Sequence, residues 1–237
     1  MNVRPVALIA ALLPFFAVHT TYLLAAGYGL VDWCNPYYDS CTSISATGRK
    51  PPASYLFRAT MLPSAVVMMA YWWLNFAWLQ QLWRRSRETR EDGRVPAADY
   101  WMLWLGLLAC VGLILYVTVL GERGDAWATQ RRVGTVLFFS FTYLAQLLLA
   151  RQLLHLKSLL PASVPPLLRA MLGICVVLLV VGLLTVLIDA RDADYYESVE
   201  DAFEWVLTLL LQSNFLLGYF VWRRVGWSLE VIDESKQ

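Results

Sequence analysis

Glu204 falls two residues inside the apolar run Ala202–Leu211, where a carboxyl group needs a partner to offset its lost hydration. Arg58, Arg131 and Arg132 stand at similar depth beside other apolar runs, so one reading is an ion pair closing that end of the molecule. The sharper reading makes Glu204 a general acid or base. Chemistry also concentrates in the stretch Cys41–Arg58, where Ser43, Ser45 and Thr47 precede Gly48, and Arg49, Lys50 and Arg58 follow it. Hydroxyls and free backbone N–H groups around a glycine turn can form an anion-receiving concavity; the plainer reading is a capped, hydrogen-bonded re-entry turn. A nucleotide phosphate loop is excluded, because Gly48 stands alone and no Gly-Lys-Ser/Thr pattern follows.

His19 is one of only two histidines and lies in the polar group His19–Thr20–Thr21, shortly after Pro14 in an apolar run. It either hydrogen-bonds a neighbouring Thr or Tyr or handles a proton. Acyl transfer needs a nucleophile and a base, and the chain has neither a Gly-x-Ser-x-Gly elbow nor a histidine suitably placed near the loop hydroxyls. The residues therefore lend no independent support to an enzyme, and Glu204 and His19 are the catalytic candidates. No Cys/His set has zinc-ligand spacing, so neither a metal nor a cofactor is expected.

The elements that must position these groups are six apolar runs, at about 6–30, 59–82, 100–120, 133–154, 167–188 and 202–222. Each meets the roughly 20 residues a helix needs to cross about 30 Å of hydrocarbon. Leu172–Ile188 contains no charged residue, which no soluble amphipathic helix would allow. Hydrophobic residues make up 59% of the chain and charged ones 16%, and a soluble domain carries about a quarter charged residues. The mean hydropathy of +0.52 agrees. Trp33, Tyr55, Trp101, Trp127, Trp205, Trp222 and Trp227 sit at run ends, as expected for interfacial belts. The reading is an all-α membrane protein: one domain over 1–237, built as a six-transmembrane-helix bundle.

Charge sets the orientation. With the amino terminus cytoplasmic, that side receives Arg4, Arg84, Arg85, Arg87, Arg90, Arg94, Arg151, Lys157, Arg169, Arg223, Arg224 and Lys236, the majority of the 19 basic residues. The positive-inside rule then puts both termini in the cytoplasm. Arg4 before a run containing Ala25–Ala26–Gly27 has features of a cleaved leader, but the run exceeds an h-region of about 7–15 residues, so it is expected to stay as a span. Cys34 and Cys41 lie in the first non-cytoplasmic loop, where they either bridge or remain free thiols. Cys110 and Cys175 lie within spans as small packing residues. The connection Arg84–Arg94 mixes Arg with Glu88, Glu91 and Asp92 and reads as a solvated stop-transfer flank rather than an anionic-lipid trap. Asp99 is a helix-cap candidate for the third span. Glu197, Glu200 or Asp201, and Glu204 recur at helical spacing and would share a face. Nothing basic enough for nucleic acid is present.

The loop Ser43-Ile-Ser-Ala-Thr-Gly48, followed by Pro51–Pro52 and Phe57–Arg58, resembles the first luminal loop of the Frag/DRAM/Sfk family with its CWH-type N-terminal domain. Glu204–Trp205 is similar to that family's acidic–aromatic pair near the end of the sixth span, and the resemblance covers nearly the whole chain. The family includes damage-regulated autophagy modulators and the Golgi factor that completes GPI-anchor lipid remodelling after attachment to protein. Cys34 and Ala70–Tyr71–Trp72 lean toward the GPI-remodelling branch. Where the family often has a histidine at the start of the fourth span, this chain has Arg131–Arg132, and a guanidinium cannot shuttle protons near neutral pH.

The resemblance implies work on lipid at the outer or luminal leaflet: support for GPI-anchor or phospholipid acyl-chain remodelling, or lipid organisation. A basic, hydroxyl-rich pocket of Ser43, Ser45, Thr47, Gly48, Arg49, Arg58, Arg131, Arg132, Glu204 and Trp205 would hold the head group of an anionic phospholipid or GPI lipid. A membrane-embedded acyltransferase or lipase and a small-molecule transporter are the alternatives, and a membrane-protein partner is compatible with the first reading. The expected location is the Golgi or another endomembrane in a eukaryotic cell, or the plasma or inner membrane in a bacterial one.

Overall fold

A computed structural model describes residues 2–89 and 96–227, and all regular structure among them is helical. In order these are α1 (Arg4–Gly27), α2 (Ile44–Thr47), α3 (Ala53–Thr89), α4 (Ala97–Thr118), α5 (Asp125–His155), α6 (Pro165–Arg191) and α7 (Ala193–Val225), with a 3-10 turn at Lys157–Leu159. Six are long and apolar enough to cross a membrane; α2 is a single turn. Helices are the expected solution, because in hydrocarbon every backbone N–H and C=O must be satisfied within its own segment.

Sequence neighbours are spatial neighbours. α1 packs on α3, α3 on α4, α4 on α5, α5 on α6, α6 on α7, and α7 returns to α1, closing a ring. The most extensive pairing, α4 with α5, rests on two glycines: a Cβ on Gly112 would meet the Gly134 carbonyl oxygen at 2.9 Å. Small residues let membrane helices approach closely, where dispersion replaces the missing hydrophobic drive. The sparsest neighbouring pair in the ring is α5 with α6. Inside the ring, Trp72, Tyr71, Phe215 and Trp222 are fully buried, and Trp222 donates its indole N–H to Asn75 Oδ1 at 3.1 Å.

α6 inverts the rule of soluble proteins. Its span is the most apolar of the six, yet only 22% of its apolar window is buried, against 39–44% in the others. Lipid tails are as apolar as leucine, so exposed Val176, Val180, Leu183 and Leu187 need no protein cover.

Several boundaries differ from the hydropathy runs. The acidic segment 193–201 is not loop but the first turns of α7, and α3 and α5 also begin before their apolar runs. At about 1.5 Å per residue, the 33 residues of α7 reach about 50 Å, longer than the hydrocarbon core. Trp205, Trp222 and Trp227 are core residues rather than interfacial ones, whereas Trp33, Tyr55, Trp101 and Trp127 are exposed. Asp99 does not cap α4. It is fully buried in the first turn and accepts from Gln152 Nε2 at 2.8 Å, tying α4 to α5. The latter part of the charged connection (residues 90–95), and Lys236 within 228–237, lie outside the described residues.

Candidate functional site

Glu204 and the Ser43–Gly48 loop come together at one end of the bundle. The connection between α1 and α3 folds back over the ring, and α7 holds it at three points. The Ile44 backbone N–H donates to the Glu204 carboxylate. The Trp205 indole N–H donates to Thr42 O at 2.9 Å, and Ala202 N–H donates to Ser40 Oγ at 3.2 Å. Ser43 Oγ caps α2 by accepting from Ala46 N–H at 3.0 Å, and it lies 3.0 Å from Ser45 Oγ. Arg49 Nη2 donates to Ser45 Oγ at 2.9 Å. The plainer reading of the loop, a capped re-entry turn, thus describes its internal bonding, and its outer surface still faces a cavity. Gly48 is required by packing, since a Cβ there would meet Leu120 Cδ2 and Phe57 Cγ at 2.9 Å.

Trp205 is the hinge of this arrangement. It is buried, and its ring meets those of His19, Tyr22 and Tyr37 edge-on at 5.5, 5.9 and 5.5 Å. His19 Nδ1 sits 2.6 Å from Phe15 O, which can only accept, so that nitrogen carries the hydrogen. In the neutral ring Nε2 then accepts from Tyr37 Oη at 2.9 Å. Burial pushes the Tyr37 phenol above its ordinary pKa, so it remains a donor. His19 is therefore engaged on both nitrogens by partners that fix the loop, and it lines none of the cavities described below. Cys34 and Cys41 form a disulfide with Cα atoms 6.6 Å apart, and Tyr22 Oη braces that turn by donating to Cys34 O at 2.7 Å.

The cavity is about 590 Å³. Ser43, Ser45 and Arg49 line it from the loop, Thr135, Val136, Phe139 and Ser140 from α5, Thr185 and Val186 from α6, and Tyr196, Glu200, Asp201, Glu204 and Leu207 from α7. It shares Phe139, Ser140 and Leu207 with an apolar slot of about 220 Å³ lined by Leu178, Leu179, Gly182, Leu183 and Leu211. The polar cavity thus adjoins an apolar one across three shared lining residues, beside the α5–α6 seam where neighbouring helices pack most sparsely. A small recess of about 30 Å³ lies inward, sharing Thr135, Phe139 and Glu204 and bounded by Tyr116 and Gln212.

The structure redistributes the expected pocket. Arg58 is not in it: its guanidinium donates to Leu120 O and lies 4.0 Å from Glu122, so it ties α3 to the end of α4. Arg131 donates to Glu122 O at 2.8 Å and lines a separate cleft of about 410 Å³ with Arg49, Lys50 and Arg123. Arg132 is exposed and lines none of these cavities, and Thr47 is buried with its hydroxyl on Ile44 O at 2.7 Å. The expected ion pair from Glu204 to Arg58, Arg131 or Arg132 is absent; among the described residues the one ion pair is Arg58–Glu122. The wall is consequently not basic. Arg49 is its only cation, facing Glu200, Asp201 and Glu204. Glu200 and Asp201 were legible through their helical spacing with Glu204; Thr135 and Ser140 had no comparable signal. Among the described residues no group of three or more His, Cys, Asp or Glu is arranged to hold a metal ion.

The family model for the Frag1/DRAM/Sfk1/Cwh43P N-terminal domain matches residues 2–222, and the chain belongs to that family. No curated protein matches it, and no solved structure does.

Proposed function

We propose that this member of the Frag1/DRAM/Sfk1/Cwh43P family handles lipid at the outer or luminal leaflet. A head group enters the cavity between the Ser43–Arg49 loop and Glu204, and one acyl chain lies in the slot formed by α5, α6 and α7. The observation that carries this reading is the shared wall of Phe139, Ser140 and Leu207, which joins a polar chamber to an apolar one. Sites for amphiphiles need that change of polarity along their length, with a few placed polar groups to orient the ligand. Exposed Val136 and Val186 at the rim leave the groove accessible from the membrane rather than only from water. Such a protein would present or organise lipid for GPI-anchor or phospholipid acyl-chain remodelling, with a membrane-protein partner supplying any chemistry. The compartment is the Golgi or another endomembrane in a eukaryotic cell and the plasma or inner membrane in a bacterial one.

Gly182→Phe tests the reading directly. Gly182 lines the slot and has nothing within 4 Å of an added Cβ, so the ring fills the slot without displacing backbone. Helix propensity improves over glycine, which protects folding. Lipid retained by the purified full chain, measured by mass spectrometry, should fall at least severalfold against wild type. Equal lipid content in a variant with an unchanged melting temperature rejects the groove as the lipid site.

A further inference from the structure

We infer that the head group taken by this cavity carries an ammonium beside a phosphate, and that a head group with phosphate alone is disfavoured. The inference rests on the lipid reading and names the class of lipid. Three observations carry it.

The first is the charge on the wall. Glu200, Asp201 and Glu204 stand within little more than one turn of α7 and face the same space as a single guanidinium, Arg49. Arg49 spends a donor on Ser45 Oγ at 2.9 Å and makes no ion pair with the three acids. The wall is net negative, and a like-charged ligand is repelled from it. The second is hydrogen-bonding demand. Gln212 Oε1 and Tyr116 Oη are without a partner although these residues are only 4% and 8% exposed, and both border the recess behind Glu204. Unpartnered buried polar atoms are costly; these two lie in the recess behind the cavity rather than on its wall, where Gln212 Oε1 can only accept and the Tyr116 hydroxyl can donate or accept. An alkylammonium offers three donors and no acceptor, which matches the acceptor-only carboxylates of α7 and the Gln212 oxygen behind them. The third is what lies on the other flank of Arg49. The adjoining cleft joins Arg49 to Lys50, Arg123 and Arg131, and Glu122 and Asp125 line it as well. Arg49 therefore stands between an acidic chamber and a cation-rich one. A ligand with separated positive and negative groups can satisfy both: ammonium on the α7 carboxylates, phosphate on Arg49.

The test uses the purified full chain in detergent and three fluorescently acyl-labelled probes: phosphatidylethanolamine, phosphatidylglycerol and diacylglycerol. Phosphatidylethanolamine should bind at least tenfold more tightly than phosphatidylglycerol. The double variant Glu200→Gln/Asp201→Asn, at an exposed and a half-buried position, should bring that ratio close to one. Arg49→Gln should weaken both phospholipids and leave diacylglycerol unchanged. Phosphatidylglycerol binding as tightly as phosphatidylethanolamine, or a ratio indifferent to loss of the two acids, overturns the head-group assignment while the groove still stands as a lipid site. Binding of none of the three probes removes the lipid reading and the assignment with it.

Discussion

Replacing Glu204 with alanine removes the acceptor that holds the first amide of α2. Ile44 is buried, so its N–H would lose its protein partner, with only water entering the adjoining cavity to replace it. A buried donor left unsatisfied costs about 1–3 kcal/mol. Glu204→Gln is milder, because the amide oxygen still accepts. The loss is then the margin of a charge-assisted bond over a neutral one, about 1 kcal/mol. These energies act on the local opening of residues 42–48 rather than on the whole bundle, whose ring contacts are untouched. Amide hydrogen exchange of the detergent-solubilised protein reads that opening. At about 1.4 kcal/mol per tenfold, Glu204→Ala should speed exchange at Ile44 by about 5- to 150-fold and Glu204→Gln by about 5-fold. Exchange across α3 and α4 should stay as in wild type. Unchanged exchange of residues 42–48 in Glu204→Ala, or Gln more damaging than Ala, would refute the assignment of Glu204 as the clasp of this loop.

Two further outcomes follow from the same region. Reduction of Cys34–Cys41, or Cys41→Ser, reopens a ring closed over a sequence separation of 7. The chain-entropy relation gives about 2.5 kcal/mol for a ring of that size, so the melting temperature should drop and proteolysis within 34–48 should accelerate. Equal melting temperatures with and without reductant contradict this. Gly121→Ala should be the worst small substitution near the site. Gly121 has φ +95, and a Cβ there would meet Arg49 O at 2.5 Å. Strain plus overpacking should cost at least about 1–3 kcal/mol and lower the yield of folded protein, measured by size-exclusion chromatography.

The six spans were legible because the bilayer imposes a length and a polarity that few other contexts share. α6 is the clearest case: its charge-free run announced a span, and its low burial shows that the run answers to lipid rather than to a protein core. What hydropathy could not see was helix beyond the hydrocarbon. The acidic turns 193–201 read as loop because they are polar, yet they continue α7 and carry Glu200 and Asp201 into the cavity. The basic residues failed for a related reason. Sequence position fixes the depth of Arg58, Arg131 and Arg132 but not their azimuth around the ring, which packing decides. Arg58 faces the α4 terminus and Arg131 the 121–125 turn, so depth alone assembled a pocket that azimuth takes apart. Arg49 escaped this ambiguity because the loop that carries it is clasped to Glu204 and Trp205, and its guanidinium donates to Ser45 Oγ within that loop. The result is a site whose sign differs from the count of nearby arginines. One guanidinium, Arg49, shares the cavity with the carboxylates, whereas Arg58 and Arg131 brace the α4–α5 turn, Lys50 and Arg123 stand in the neighbouring cleft and Arg132 is exposed outside both. On the proposed reading, ligand selection by this end of the bundle therefore turns on α7's acids, whose helical spacing with Glu204 was legible although hydropathy left Glu200 and Asp201 outside the sixth run.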